Sequence, residues 1–124
     1  PIDDQSYDFA TMVTTVCFLN DIPKAFSEVY RILKPNGEFI IGLIDRNSGL
    51  GKKYEQQKST NKFYRDAHFH STEEISELLK KSGFGNFSYW QTITHPDENS
   101  IEQPQEGYGK GSFVVIKANK KQIV

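Results

Sequence analysis

Residues 8–45 read DFATMVTTVCFLNDIPKAFSEVYRILKPNGEFIIGLID, and they decide the fold because they predict a strand, a helix and a second strand in close succession. The first run, Phe9 to Phe18, is apolar and rich in β-branched residues, as is typical of a parallel strand that is buried on both faces. The second run, Phe39 to Ile44, has the same character and ends at Asp45. A helix between two such strands predicts a βαβ crossover and therefore an α/β fold.

The helix of this unit has recognisable ends and one apolar face. Asp21 is a predicted N-cap, and Pro23 suits the first helical turn. Apolar residues recur at helical spacing, namely Ala25, Phe26, Val29, Ile32 and Leu33. The residues Pro35, Asn36 and Gly37 predict that the helix ends and the chain turns before the second strand.

The second half of the chain contains one more clear helix and two more strands. Ser71 and Glu74 form the spacing of a capping box, and Gly83 is placed to end the helix that follows. Residues Phe87 to Thr94 and Ser112 to Asn119 are rich in aromatic and β-branched types, which predicts strands.

Composition indicates one globular domain over residues 1–124. The chain has 124 residues, 36% of them apolar, which is enough for a hydrophobic core. A net charge of −1 gives no general attraction to nucleic acid or to an anionic membrane. The lone Cys17 excludes a disulfide within the chain, and no apolar run is long enough to span a bilayer. We therefore expect a cytoplasmic protein.

Three segments of the sequence, taken together, resemble a known family. Pro1, Asp4, Ser6, Tyr7 and Asp8 lead into the first strand, RILKPNG precedes the second strand, and FHSTEEISELLKKSGF contains the capped helix. In this order they resemble the class I S-adenosylmethionine-dependent methyltransferases of the type 11 kind, from Pro1 to about Ala118. The resemblance implies a Rossmann-like, mixed four-stranded sheet in which the last strand lies beside the second, in the order 1-2-4-3.

The resemblance also implies S-adenosylmethionine as the methyl donor. In the family, a glycine-rich loop and an acidic residue hold this cofactor, and both precede the part that this chain resembles. The glycine cluster EGYGKGSF at 106–113 precedes a predicted strand, so it does not place helix N-terminal amides beside a nucleotide. We therefore expect the chain to be the C-terminal half of a methyltransferase, inactive alone, with weak binding of S-adenosylmethionine or none.

By the same resemblance, Thr14, Thr15 and Val16 lie beside the methionine end of the cofactor. The hydroxyl groups of the two threonines suit hydrogen bonds with its carboxylate or amino group. The alternative is that these threonines are there because β-branched residues favour strands. Either way, the carboxyl ends of parallel strands are where ligands of open α/β sheets bind.

The predicted acceptor site combines strand ends with the connection that follows. Phe18 is a candidate wall of the pocket, and the Asp45–Arg46 pair follows the second strand, unless it is a surface ion pair. From Arg46 to His70 basic residues outnumber acidic ones and alternate with aromatic residues, of which Tyr54 and Tyr64 are candidate acceptor contacts. We expect a small-molecule methyl acceptor and regard RNA as the weaker alternative, because the segment has no nucleic-acid motif.

No catalytic residue and no metal site are predicted. His68 and His70 would point to the same side of an extended segment, but no further ligand has a matching spacing. Methyl transfer depends mainly on positioning the acceptor and excluding water, so it does not require a particular acid or base.

A non-catalytic reading also remains open, in which the chain is a half-fold that acts as an interaction or dimerisation module. In either case, we expect the strand at residues 8–18 to present an apolar edge without Pro or Lys. We expect such an edge to pair with a second copy, giving a homodimer with Met12 and Thr14 near the centre of the contact.

Overall fold

The computed structural model of the chain describes residues 3–62, 64–95 and 101–121. Pro1, the first residue of the family motif, lies outside these residues. The elements are β1 Tyr7–Val13, a 3-10 turn Val16–Phe18, α1 Ile22–Ile32, β2 Leu33–Ile44, α2 Gly49–Gln57, α3 Thr72–Lys81, β3 Phe84–Thr92, β4 Gln105–Glu106 and β5 Phe113–Lys120.

The strands form one mixed sheet with the order β1-β2-β5-β3-β4. β1 and β2 are parallel, whereas β5 runs antiparallel to both of its neighbours, β2 and β3. The predicted order of four strands, 1-2-4-3, is confirmed for β1, β2, β5 and β3. The fifth strand, β4, was not predicted, because its two residues lie in a polar, glycine-rich segment that shows no alternation.

The helix ends follow the local signals in the sequence. The Asp21 side chain accepts a hydrogen bond from the Lys24 amide at 3.1 Å and caps α1. The Ser71 and Glu74 capping box is present at the start of α3, and Gly83 follows the helix with a φ of +100°. These three predictions are confirmed because each depends on residues that are close in sequence.

The hydrophobic core lies on one face of the sheet, under α1 and α3. Phe39 of β2 contacts Phe26 of α1 edge to face, with ring centroids 5.3 Å apart. Ile75 and Leu79 of α3 are fully buried in the same cluster. The sheet contributes the buried side chains Phe39, Ile41, Leu43, Val114, Ile116 and Ala118.

The prediction that the two parallel strands are buried on both faces is wrong for the described residues. β2 alternates between fully buried and half-buried side chains over Phe39–Ile44, since the helices cover one face. β1 is mostly exposed: Phe9 is 63% and Val13 59% exposed. Within the described residues β1 pairs with β2 alone, which leaves its other backbone edge open.

The predicted limits of both strands also need correction. β1 ends at Val13 and not at Phe18, because Thr14 adopts a left-handed conformation with φ +51° and the chain then forms the 3-10 turn. β2 begins directly after α1, and the predicted turn at residues 34–37 is an irregularity within it. There the register with β1 shifts and Asn36 has a φ of +64°.

In the described part of the chain, no helix has the length and apolar character that a bilayer crossing requires.

Candidate functional site

The candidate site lies at the carboxyl ends of β1 and β2. The Thr14 amide donates a hydrogen bond to the Gly42 carbonyl at 2.8 Å, so the chain stays beside β2 as it leaves the sheet. The 3-10 turn then places Val16, Cys17 and Phe18 beside the end of β2. This is the edge of a parallel sheet at which ligands bind in open α/β folds.

A cavity of about 330 Å³ opens at this edge. Its size is near the lower end of the ~300–1,000 Å³ that is typical of small-molecule pockets. Most of its lining residues are apolar or aromatic: Thr14, Val16, Cys17, Phe18, Leu43, Ile44, Tyr54, Tyr64, Phe69 and His70. The cavity can therefore hold one small organic molecule or part of a larger one.

One wall of the cavity consists of three aromatic rings, which we call the aromatic wall: Tyr54, Tyr64 and Phe69. The rings of Tyr54 and Tyr64 stack with centroids 4.5 Å apart, and Phe69 lies about 6 Å from both. Burial raises the pKa of Tyr64, and a hydrogen bond with the neighbouring Tyr54 hydroxyl raises it further. The Tyr64 hydroxyl group therefore stays protonated at neutral pH. The wall thus offers uncharged rings to a ligand.

The helix that carries Tyr54, α2, is held tightly against the end of β2. The Ser48 hydroxyl caps it by accepting a hydrogen bond from the Gly51 amide at 3.0 Å. A Cβ on Gly51 would lie only 2.0 Å from the Asp45 carbonyl oxygen. Only glycine permits this approach, so Gly51 determines where Tyr54 enters the cavity. The sequence did not predict α2, because GLGKKYEQQ has two glycines and no apolar stripe.

Asp45 is placed to support the structure and does not line the cavity. It is 5% exposed, and its Oδ2 accepts hydrogen bonds from the Thr72 amide at 3.1 Å and the Thr72 hydroxyl at 2.6 Å. Its Oδ1 accepts one from the Asn47 amide at 2.8 Å. The carboxylate therefore joins the end of β2 to the start of α3. This arrangement does not support the prediction that Asp45 contacts an acceptor.

The side chain of Arg46, predicted as an acceptor contact, forms an ion pair with α3. Its guanidinium forms an ion pair with Oε1 of Glu74, in the first turn of α3. The Arg46 amide also donates to the His70 carbonyl at 3.0 Å. Arg46 therefore does not line the cavity but lies behind it, where it holds residues that do.

The two threonines differ in location. Thr14 lines the cavity, whereas Thr15 is not among its lining residues. Both hydroxyl groups donate to the Val13 carbonyl, at 2.7 Å from Thr14 and 3.1 Å from Thr15. Their lone pairs remain available, so in this arrangement they suit a hydrogen-bond donor such as an ammonium group better than a carboxylate.

Five of the predicted site residues come together around the cavity and three do not. Thr14, Val16, Phe18, Tyr54 and Tyr64 line it, whereas Thr15, Asp45 and Arg46 lie outside it. Sequence reasoning missed Phe69 and His70 as lining residues. The sequence did contain a signal for these two residues, since both directly precede the Ser71 cap and lie at the end of the aromatic connection.

Cys17 lines the cavity but is not activated. Its thiol donates to the Thr14 carbonyl at 3.6 Å, and burial raises its pKa, which disfavours the thiolate. His68 and His70 do not form a metal site with other residues, since no group of three metal-ligating side chains occurs in the described ranges. His68 is exposed, whereas His70 faces the cavity.

Comparison with known proteins agrees with this fold. Residues 1–41 match a family described as a methyltransferase domain. An uncharacterized protein of Methanocaldococcus jannaschii is 44% identical over 97% of this chain and 59% of its own length. Phosphoethanolamine N-methyltransferase 2 of Caenorhabditis elegans is 31% identical over 68% of this chain and 18% of its own length.

The fold is also close to that of a solved structure. The crystal structure of an S-adenosylmethionine-dependent methyltransferase from Thermotoga maritima, described as a possible histamine N-methyltransferase, superimposes with a TM-score of 0.93. It is 50% identical and covers 98% of this chain, which spans 59% of that protein.

The strand order and these relatives define the class of fold. The chain has the Rossmann-like α/β fold of the class I S-adenosylmethionine-dependent methyltransferases and is similar to them in sequence, as the resemblance predicted.

Proposed function

We propose that this chain forms the acceptor side of an enzyme that transfers the methyl group of S-adenosylmethionine to a small amine. The observation that carries the proposal is the cavity at the carboxyl ends of β1 and β2, with its apolar and aromatic lining. A pocket with such a lining positions an acceptor and excludes competing water. Methyl transfer depends on these two conditions.

For the methyl donor, the residues present fit one end of the molecule. Thr14 and Val16 line the cavity, and the hydroxyl lone pairs of Thr14 suit an amino group such as that of the methionine moiety. When bound, S-adenosylmethionine supplies an electrophilic methyl group on a sulfonium. The cavity is too small for the whole donor and an acceptor together, so we propose that the 124-residue chain binds the donor weakly or not at all.

The proposed acceptor class follows from the aromatic wall. Aromatic ring faces attract cations, and a desolvated cation–π contact contributes about 2 kcal/mol. The relatives named as N-methyltransferases, one for phosphoethanolamine and one possibly for histamine, act on small amines by their names. The basic side chains of the connection, for example Lys52, Lys53 and Lys62, are not among the residues that line the cavity. The apolar and aromatic cavity itself therefore suits a small amine better than RNA.

A methyl-transfer assay with a completed fold tests the proposal. The part of the T. maritima protein that this chain does not cover would be joined to this chain, since the two proteins are 50% identical where they match. We expect transfer of labelled methyl from S-adenosylmethionine to phenethylamine and none to 2-phenylethanol, its uncharged analogue. A folded chimera that methylates no amine, tested also with histamine and phosphoethanolamine, would contradict the proposal.

The open edge of β1 favours a second candidate function, an interaction or dimerisation module. Tyr7, Phe9 and Val13 are all between 47% and 63% exposed along this strand. An apolar strand edge with free backbone groups is a template for pairing with another strand. A second copy of the chain is the proposed partner, and the expected product is a continuous sheet across a two-fold axis.

A further inference from the structure

His70 is the histidine that faces the cavity, and its ring is oriented by a carboxylate. Its side chain is 21% exposed, and its Nδ1 lies 3.5 Å from Oε2 of Glu74. The residue precedes the Ser71 cap of α3, while Glu74 lies in the first turn of that helix. No hydrogen bond to Nε2 of His70 occurs within the described ranges, so Nε2 is the nitrogen that remains for a ligand.

Glu74 is itself held in place from the other side. Its Oε1 pairs with the guanidinium of Arg46 and accepts from the Ser71 hydroxyl at 3.3 Å. Burial raises the pKa of Glu74, but the hydrogen bonds from His70 and Ser71 together with the Arg46 charge outweigh it and lower the pKa. Glu74 is therefore anionic at neutral pH. An anionic partner at Nδ1 favours the tautomer with its proton there and leaves Nε2 as a proton acceptor.

The other titratable groups that line the cavity are less suited to accept a proton. They are the Cys17 thiol and the hydroxyl groups of Tyr54 and Tyr64. Burial raises the pKa of Cys17 and of Tyr64, which keeps both protonated near neutral pH. Histidine is the side chain type that exchanges a proton in this pH range. The Glu74 carboxylate contacts the His70 ring, the Arg46 guanidinium pairs with that carboxylate, and the Arg46 backbone amide donates to the His70 carbonyl.

We propose that Nε2 of His70 accepts the proton that the amine acceptor must lose, with Glu74 orienting the ring through Nδ1. This role rests on the proposed function. A protonated amine has no lone pair and cannot attack a methyl group. Its N–H bond breaks, the proton goes to Nε2 and the electron pair stays on the nitrogen. The imidazolium that forms is stabilised by Glu74 and later releases its proton to solvent.

The tautomer of His70 can be measured without any methyl transfer. Nitrogen-15 NMR of the 124-residue chain, with assignments from His70→Gln, distinguishes a proton on Nδ1 from one on Nε2. We expect the neutral ring to carry it on Nδ1 and Glu74→Gln to weaken that preference. Phenethylamine should shift the Nε2 resonance of His70 and leave that of exposed His68 unchanged. A neutral ring protonated at Nε2, or no response to phenethylamine, would overturn the proposal.

Kinetics of the chimera with the T. maritima part, which we call the completed enzyme, provide the second test. His70→Gln should lower kcat/KM for phenethylamine by about 10²- to 10⁴-fold, the usual contribution of a general base. The pH profile of kcat/KM should also differ between the wild type and His70→Gln, because the variant has no group at this position that can accept the proton of the amine. His68→Gln is the matched control, because His68 lies two residues away and its side chain is exposed.

The two proposals can fail separately. If the wild-type chimera methylates phenethylamine and His70→Gln keeps the same rate and pH profile, the role of His70 is wrong and the methyltransferase function stands. If the wild-type chimera methylates no amine, the proposed function fails, and the NMR titration still decides whether an amine meets Nε2. Partial recovery of His70→Ala by added imidazole would support proton transfer, since a purely structural role would not respond to it.

Discussion

β1 and β2 are neighbouring parallel strands of similar composition, yet they have very different surroundings. In β2 the side chains of Phe39, Ile41 and Leu43 are buried under α1 and α3. In β1 the side chains of Phe9 and Val13 are more than half exposed. An apolar sequence therefore makes burial of the side chains of a strand possible, whereas the elements that pack on the strand determine which of them are buried.

The same contrast separates stability from function. β2 and its partners β5 and β3 hold most of the buried core, while the chain that leaves β1 supplies Thr14, Val16 and Phe18 to the cavity. We therefore expect substitutions of core residues of β2 such as Phe39 and Ile41 to act on folding, and substitutions at the end of β1 or in the aromatic wall to act on ligand binding.

The largest effect is expected from shortening a buried side chain of β2. Ile41 is fully buried, and Ile41→Ala should lower the free energy of unfolding by about 2–5 kcal/mol, because it leaves a cavity in the core. The matched variant in β1, Val13→Ala, should change it by less than about 0.5 kcal/mol, since Val13 is 59% exposed. Urea denaturation followed by circular dichroism measures both. Equal losses at the two positions would show that β1 is as well packed as β2.

The next effect concerns the junction between β2 and α3. Asp45→Ala removes the acceptor of the buried Thr72 amide and hydroxyl, and should cost about 1–3 kcal/mol of stability. Asp66→Ala, at an exposed position, is the control and should be close to neutral. The same urea titration applies. If Asp45→Ala left stability unchanged and abolished only acceptor binding, Asp45 would be an acceptor contact and not a structural residue.

The aromatic wall should affect binding more than folding. Tyr64→Ala should raise KM for phenethylamine about fivefold to tenfold in the completed enzyme, consistent with losing ~1 kcal/mol of ring contact. Tyr64→Phe should stay close to wild type, because it keeps the ring. Tyr108→Ala is a control outside the cavity, at a tyrosine that is 42% exposed. An equal rise in KM for Tyr108→Ala would place the acceptor elsewhere.

The smallest expected effect is self-association through β1. Sedimentation velocity of the 124-residue chain should show a concentration-dependent dimer that Phe9→Lys weakens, because a charge on an open edge opposes strand pairing. Ile101→Lys is the control, since Ile101 is 98% exposed and lies away from β1. A monomer at high concentration would contradict the proposed partner.

Sequence reasoning succeeded where the signal is local or belongs to the whole family. The Asp21 cap, the Ser71–Glu74 box and Gly83 depend on residues within a few positions of one another. The strand order followed from the resemblance. By contrast, α2 was missed because Gly49 and Gly51 oppose helix formation on their own, and the helix is held by contacts with Asp45 and Ser112.

The site was only partly predictable for a similar reason. Strand ends and aromatic residues indicated Thr14, Val16, Phe18, Tyr54 and Tyr64. The role of Asp45 depends on Thr72, which lies 27 residues further along the chain, and no local pattern reveals that pairing. His70 was weighed as a metal ligand, and only the structure shows it beside both the cavity and Glu74.

The central claim is that the cavity at the ends of β1 and β2 is where the methyl acceptor binds. Intermolecular nuclear Overhauser effects between phenethylamine and the isotope-labelled 124-residue chain test it most directly. The claim predicts contacts from the phenethylamine ring protons to Phe18, Tyr54 and Tyr64, three of the aromatic side chains that line the cavity. Contacts confined to other surfaces, such as Trp90 and Tyr89, or none at millimolar phenethylamine, would contradict it.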